Sequence, residues 1–243
     1  MKPPELIAPS EGWPPPWPLL LEVADQPHSG MWTVVGGMMV QIHAMLAGIP
    51  LIRVTNDVDL LLDLMTSKAS VTQIAADLTS LGFTPQEPRW AGAPFHRLRR
   101  GDDVIDLLVP DHLPRHLRPT MLRRPVMPIE GGAQALARTM KVDLVHDGVR
   151  LTVTVPDLLG ALVLKAAAAK ADTRDAGRHE RDAAVLAALI TDHATELARL
   201  HGSDRRRLVA LASRLADGIH PAWLALPDSL AVRAQDTLRI LTQ

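Results

Sequence analysis

Three aspartates and a glycine pair are the residues of this sequence best suited to chemistry. Asp57 and Asp59 stand one residue apart in LIRVTNDVDLLLD (51–63), a β-branched and then apolar run that predicts a strand. In a strand alternate side chains share a face about 7 Å apart, so both carboxylates point the same way. Two carboxylates aimed at one spot repel unless a cation or a proton lies between them. Magnesium suits such a pair, because it takes oxygen from one or two carboxylates and fills its shell with water and phosphates. Asp106 sits inside VIDLLV, a second apolar run where a lone charge needs a partner. Asp-x-Asp alone recurs by chance, and strand ends often carry exposed acids. With the third aspartate on a neighbouring strand, the set becomes that of a two-metal site for phosphoryl or nucleotidyl transfer.

Gly36-Gly37 supplies a second element. MWTVVGG (31–37) predicts a short strand ended by two glycines, and MMVQIHAMLAG (38–48) a helix closed by Gly48. Bare N–H groups at the positive end of a helix dipole are a place for triphosphate oxygens, although a Gly-Gly pair also reads as a plain tight turn. The order is what distinguishes the pattern: strand, Gly-Gly, helix, a strand with Asp-x-Asp, then a later strand with a third Asp.

The remaining elements follow from local patterns. Ser70 caps a helix through VTQIAADLTSLG, and FHRLRR (95–100) with DVIDLLV (103–109) forms a hairpin around Gly101-Asp102. A connection rich in proline and arginine spans about 110–130, and KVDLVHDGVRLTVTV (141–155) is a hairpin turning at Asp147-Gly148. Pro156 opens a helical half with further helices at about 178–201, 203–217 and 228–242. The expected fold is α+β: a mixed sheet core with flanking helices over 19–155, then a helical bundle over 156–243. Residues 1–18, with seven prolines and two tryptophans, read as an extended arm that makes neither helix nor central strand.

Composition narrows the partners. At 243 residues, 47% hydrophobic and 22% charged, the chain is globular rather than disordered or fibrous. No apolar run is long enough to span a bilayer, and the opening MKPPELIAPS lacks a signal pattern, so the expected compartment is the cytoplasm. Cysteine is absent, which excludes disulfides and thiolate metal sites. The net charge of −1 gives no broad field for nucleic acid, but Arg115, Arg118, Arg123 and Arg124 fall in a stretch free of acids. Those arginines read as a solvated loop, or as phosphate contacts if the acceptor is RNA. Few aromatics argue against a base-stacking platform. His43 reads as an ordinary helix residue, and His112 with His116 lies in a proline-broken stretch that cannot hold a metal pair at helical spacing.

The run VVGGMMVQIHAMLAGIPLIRVTNDVDL resembles the N-terminal signature of nucleotidyltransferases of the DNA polymerase β superfamily, in particular the AbiEii branch that includes the MenT-like tRNA-modifying toxins. That branch carries Gly-Gly, a helix and Arg-x-Thr-x-Asp-x-Asp, matched by Arg53, Thr55, Asp57 and Asp59. Its helical half carries a lysine and then a basic residue followed by Asp, matched by Lys165, Arg178 and Arg181-Asp182 with a longer spacing than the branch shows. The resemblance covers 31–63, 103–109 and 156–190.

It implies that Asp57, Asp59 and Asp106 hold two Mg²⁺ ions, with Asp106 also helping to activate the attacking hydroxyl. Gly36, Gly37, Arg53, Thr55, Lys165 and Asp182 would surround a nucleoside triphosphate, Lys165 meeting its phosphates. A solvated Lys165 and a structural Arg178–Asp182 pair are the plainer readings of those residues. The implied reaction moves a nucleoside monophosphate to a hydroxyl, with a tRNA 3′ end as acceptor and a cognate antitoxin as partner; DNA and membrane are not expected. A small acceptor such as an aminoglycoside, a protein acceptor, and a non-catalytic nucleotide-binding relative are the alternatives.

Overall fold

The computed structural model describes residues 2–49, 54–64, 71–88, 90–172 and 174–243. The chain is α+β and divides into two compact units. One takes residues up to Met39 together with Val54–Pro156; the other takes Asp157–Gln243 with a segment that begins at Val40.

The first unit runs β1 (Glu5–Ile7), α1 (Trp17–Ala24), β2 (Trp32–Val34), the start of α2 (Gly36–Leu46), β3 (Val58–Leu62), α3 (Val71–Ser80), β4 (Thr84–Pro85), β5 (Arg97–Arg100) and β6 (Asp103–Pro110). It continues through β7 (Thr120–Met121), β8 (Arg124–Pro125), β9 (Met127–Ile129), α4 (Gly132–Leu136), β10 (Thr139–His146) and β11 (Val149–Pro156). The main sheet has the order β2-β3-β6-β5-β4, with β9 also paired to β6. Its centre is the parallel pair β3 and β6, both runs of buried Val, Leu and Ile as expected for strands covered on two faces. A second sheet, β1-β10-β11, closes the unit. Its β10–β11 hairpin turns at Asp147 and Gly148, whose φ of 48° and 77° suit the tight two-residue turn that matches strand twist.

Several expectations are corrected here. The strand containing Asp59 begins only at Val58, so Asp57 precedes it rather than sharing it. A helix over 17–24 takes in the last two residues of the stretch read as an arm, with Pro18 in its first turn, where a missing N–H costs nothing. Upstream of it the arm does pack: Glu5–Ile7 adds a parallel edge strand to β10, and Trp13 stacks on Trp17 with centroids 4.5 Å apart. The connection after Pro110 is not featureless, holding the small β7–β8 pair and β9. The expected Ser70 cap lies outside the described residues; the helix it would open, α3, buries Val71, Ile74 and Leu78 along one stripe.

The second unit contains α5 (Leu158–Ala171), α6 (Ala176–Leu189), α7 (His193–Arg199), α8 (Asp204–Arg214), α9 (Pro221–Leu224) and α10 (Asp228–Thr242). Pro156 ends β11 instead of opening a helix, and Asp157 caps α5 by accepting from the Gly160 N–H at 2.9 Å. Arg199 on α7 also bonds the Asp157 carboxylate. The single helix expected over 178–201 is two, broken at Ile190–Asp192, where the Asp192 carboxylate accepts the Thr195 N–H and starts α7 afresh. Helix α5 is apolar on all sides and buried along nearly its whole length, which makes it the core of this unit. Among the described residues no helix is long and apolar enough to cross a membrane.

Candidate metal centre

The site of the first unit is built on a single register row. Strands β3 and β6 pair in parallel with Asp59 opposite Asp106, and β6 pairs antiparallel with β5 so that Asp106 stands opposite Arg97. Residues directly opposite across neighbouring strands share a face, so Asp59, Asp106 and Arg97 lie side by side across three strands. Asp57, one residue before β3, completes the cluster. Asp57, Asp59 and Asp106 each offer a carboxylate oxygen, all within 4.8 Å of one another. The convergence expected from the sequence is therefore present, although Asp57 reaches it from outside the strand.

Each carboxylate is positioned differently. The buried Thr55 hydroxyl donates to Asp57 Oδ1 at 2.8 Å, orienting that carboxylate. Asp59 is placed by a glycine: Gly36 has φ of 63°, and a Cβ built there would lie 1.7 Å from Asp59 Oδ2. No side chain fits in that space. Gly36 is thus needed for the close approach of Asp59 at the start of α2, where the unpaired N–H groups of the first turn favour negative charge. Asp59 takes the space that a side chain at Gly36 would fill. Gly37 follows as the buried second residue of α2.

Asp106 is 7% exposed and both of its oxygens are engaged. Arg97 donates from Nε to Oδ1 at 2.8 Å and from Nη2 to Oδ2 at 2.7 Å, a bidentate fork. The hydrogen bond to Asp106 holds the Arg97 guanidinium more firmly charged than usual, against the opposing effect of its burial, and the charges of Asp106, Asp57 and Asp59 add to the stabilisation. Arg97 is the site residue that the sequence reading missed. The signal was available: counting outward from the Gly101-Asp102 turn puts Arg97 opposite Asp106.

The residues fit a divalent cation. Three carboxylate oxygens within 4.8 Å form a hard oxygen donor set, and the Gly36 surface is shaped to admit one of them.

Lys165 and Asp182 belong to the second unit and meet each other there. Lys165 on α5 donates from Nζ to Asp182 Oδ2 on α6 at 2.7 Å, with side chains 4% and 5% exposed. Lys165 is thus not the solvated helix lysine of the plainer reading, and Asp182 is not paired with Arg178, whose Nη2 bonds Asp172 Oδ2 at 3.2 Å instead. Next to this pair, burial together with the Lys165 and Arg178 charges lowers the His179 pKa to about 4, against the opposing pull of Asp182 and Asp172. The expected nucleotide contact Arg53 lies outside the described residues.

No protein-family model matches this chain, and no curated protein matches it. Among solved structures, it is similar to an antigenic nucleotidyltransferase-like protein from Paracoccidioides brasiliensis, at 16% identity over 82% of this chain and 83% of that one, with a TM-score of 0.40.

Proposed function

We propose that this chain is a magnesium-dependent nucleotidyltransferase that moves a nucleoside monophosphate from a nucleoside triphosphate to a hydroxyl acceptor and releases pyrophosphate. The observation that carries the proposal is the meeting of Asp57, Asp59 and Asp106 within 4.8 Å. Three such acids on neighbouring backbone cost stability by mutual repulsion, which a bound cation relieves. Asp57 and Asp59 would hold the ion that accompanies the triphosphate, and Asp106 the ion next to the acceptor. When bound, such ions neutralise phosphate charge and lower the pKa of a coordinated hydroxyl.

The chain's own residues do the rest. Thr55 orients Asp57, Gly36 admits Asp59, and Arg97 fixes the direction of Asp106. Asp106 is the group suited to receive the proton of the attacking hydroxyl once its guanidinium partner has moved. Gly37 and Thr55 are assigned to the nucleotide's surroundings.

RNA is the proposed acceptor class, with the tRNA 3′ end the specific assignment, a toxin role for the activity and a cognate antitoxin as partner. Support comes from the acid-free segment 112–124, in which Arg115 and Arg123 are exposed and Arg124 half-buried, close along the chain to β6 and Asp106. The test is incubation of the protein with each α-labelled nucleoside triphosphate, Mg²⁺ and total RNA. Label entering RNA, lost in Asp57→Ala and Asp59→Ala, is the expected result. Label entering a small molecule instead would keep the chemistry and replace the acceptor. Nucleotide binding that persists unchanged in both variants, without transfer, would favour a non-catalytic binding protein.

A further inference from the structure

Four of the five tryptophans are buried: Trp13, Trp17, Trp32 and Trp223 are at most 7% exposed. Trp90 is 59% exposed. It opens a short turn, its carbonyl accepting the Ala93 N–H at 3.2 Å, and the chain then runs into Phe95. At Phe95 this loop meets another. The Phe95 N–H donates to the Pro125 carbonyl and the Phe95 carbonyl accepts the Met127 N–H, both at 2.8 Å, so Phe95 pairs with Val126.

The second loop carries the cations. From His112 to Ile129 the chain holds Arg115, Arg118, Arg123 and Arg124 and no acid. Arg118 braces the loop itself, donating from Nε to the Leu113 carbonyl at 2.9 Å. Arg115 and Arg123 are exposed and Arg124 is half-buried. Leu122 and Arg123 alone join β7 to β8, with Met121 opposite Arg124. Both turn residues take positive φ, 49° and 58°, in a turn that asparagine and glycine make with less strain. The hairpin therefore presents Arg123 at its tip at a backbone cost, of the kind that collects at binding sites.

Both loops border the metal centre. Phe95 is two residues, at most about 7 Å of chain, from Arg97, which grips Asp106. Leu107, next to Asp106, donates its N–H to the His96 carbonyl. An exposed indole beside an acid-free run of guanidinium groups matches an unpaired nucleotide strand: the ring takes a base face, the guanidinium groups take phosphates. A duplex keeps its bases stacked on one another and offers the indole nothing. One base is all that a single indole holds, so such a surface seats an end and does not track a long strand.

We propose that Trp90 and the segment 112–125 are the docking surface for an unpaired 3′ end of the RNA acceptor, with one base stacked on Trp90 and adjacent phosphates on Arg115, Arg123 and Arg124. The proposal rests on the RNA-acceptor reading and deepens it.

The test is binding without turnover. Full-length protein is titrated into a short fluorescein-labelled RNA, single-stranded or annealed to its complement, in EDTA and without nucleoside triphosphate. Anisotropy and tryptophan emission are both followed. The expected result is tighter binding of the single strand, with quenching of tryptophan emission. Trp90→Ala is expected to lose the quenching and bind about tenfold more weakly. Trp90→Phe, which keeps a ring, should restore most of the affinity but not the emission change. Arg115→Ala and Arg123→Ala should each weaken binding and flatten the slope of log affinity against log salt by about 0.7. Equal binding of duplex and single strand, or unchanged affinity in Trp90→Ala, would overturn the proposal and leave the transferase reading standing. A wild type that binds neither form yet still labels total RNA would keep the acceptor and remove this surface from its docking. A wild type that neither binds nor labels RNA would remove the acceptor reading as well, and the surface would then suit an acidic protein partner.

Discussion

Gly36→Ala is the sharpest single perturbation of the site. Two costs can be worked from the structure. Alanine at a φ of 63° adopts the left-handed region, at about 1–2 kcal/mol. The new methyl, 1.7 Å from Asp59 Oδ2, forces that carboxylate off its rotamer for about 1 kcal/mol more. The sum is about 2–3 kcal/mol of first-unit stability. Gly148→Ala separates the two contributions, since Gly148 has a φ of 77° with nothing within 4 Å of its built Cβ, leaving only the backbone cost. Both residues lie in the first unit, so urea unfolding reads the same transition for each. Displacing Asp59 should also weaken Mn²⁺ affinity by about tenfold or more, a loss of about 1.4 kcal/mol, while Gly148→Ala leaves it unchanged. Equal destabilisation by the two substitutions, with ion affinity intact in both, would refute the claim that Gly36 exists to admit Asp59.

Three further outcomes are expected. Asp106→Asn should lower nucleotidyl transfer by about 10²–10³-fold, several kcal/mol of transition-state stabilisation, measured as label incorporated per minute; an activity within threefold of wild type would exclude Asp106 from the chemistry. Lys165→Met should cost about 3–5 kcal/mol because it strands a buried carboxylate, and Lys165→Met/Asp182→Leu should recover most of that in thermal melts; a double variant no more stable than Lys165→Met alone would contradict the buried pair. His179 holds a pKa of about 4 folded against an ordinary value of 6.5, so the unfolded chain binds its proton first as pH falls. Its contribution is therefore complete above pH 6.5 and is lost progressively down to about pH 4, amounting to about 3 kcal/mol. His179→Gln should flatten the urea-derived stability profile between those pH values, and a variant with an unchanged slope would contradict the assignment.

Much of the first unit follows from sequence pattern because its signals are local. The Asp147-Gly148 and Gly101-Asp102 turns mark their hairpins through backbone preferences that need no tertiary context, and the apolar runs of β3 and β6 mark strands buried on both faces. The order Gly-Gly, Asp-x-Asp, Asp was legible for the same reason: residue type and spacing along one chain. Element ends were less so. Whether a strand begins at residue 51 or at Val58, or a helix continues through Ile190, is decided by competing hydrogen bonds such as the Asp192 cap, each worth only about 1 kcal/mol.

The sequence by itself determined which side chains carry charge and which backbone positions turn. Only the tertiary structure decided who stands beside whom. That Asp59 meets Asp106 depends on β3 and β6 pairing in parallel at one register, and slipping it by a single residue would send one of the two carboxylates to the opposite face. That Lys165 is buried against Asp182 depends on α5 packing on α6, since a helical lysine reads as solvated until a neighbour covers it. Gly36 reads as a turn until the Asp59 carboxylate is found where its side chain would be. In each case the deciding energy is a contact between residues far apart in the chain, and no local preference encodes it.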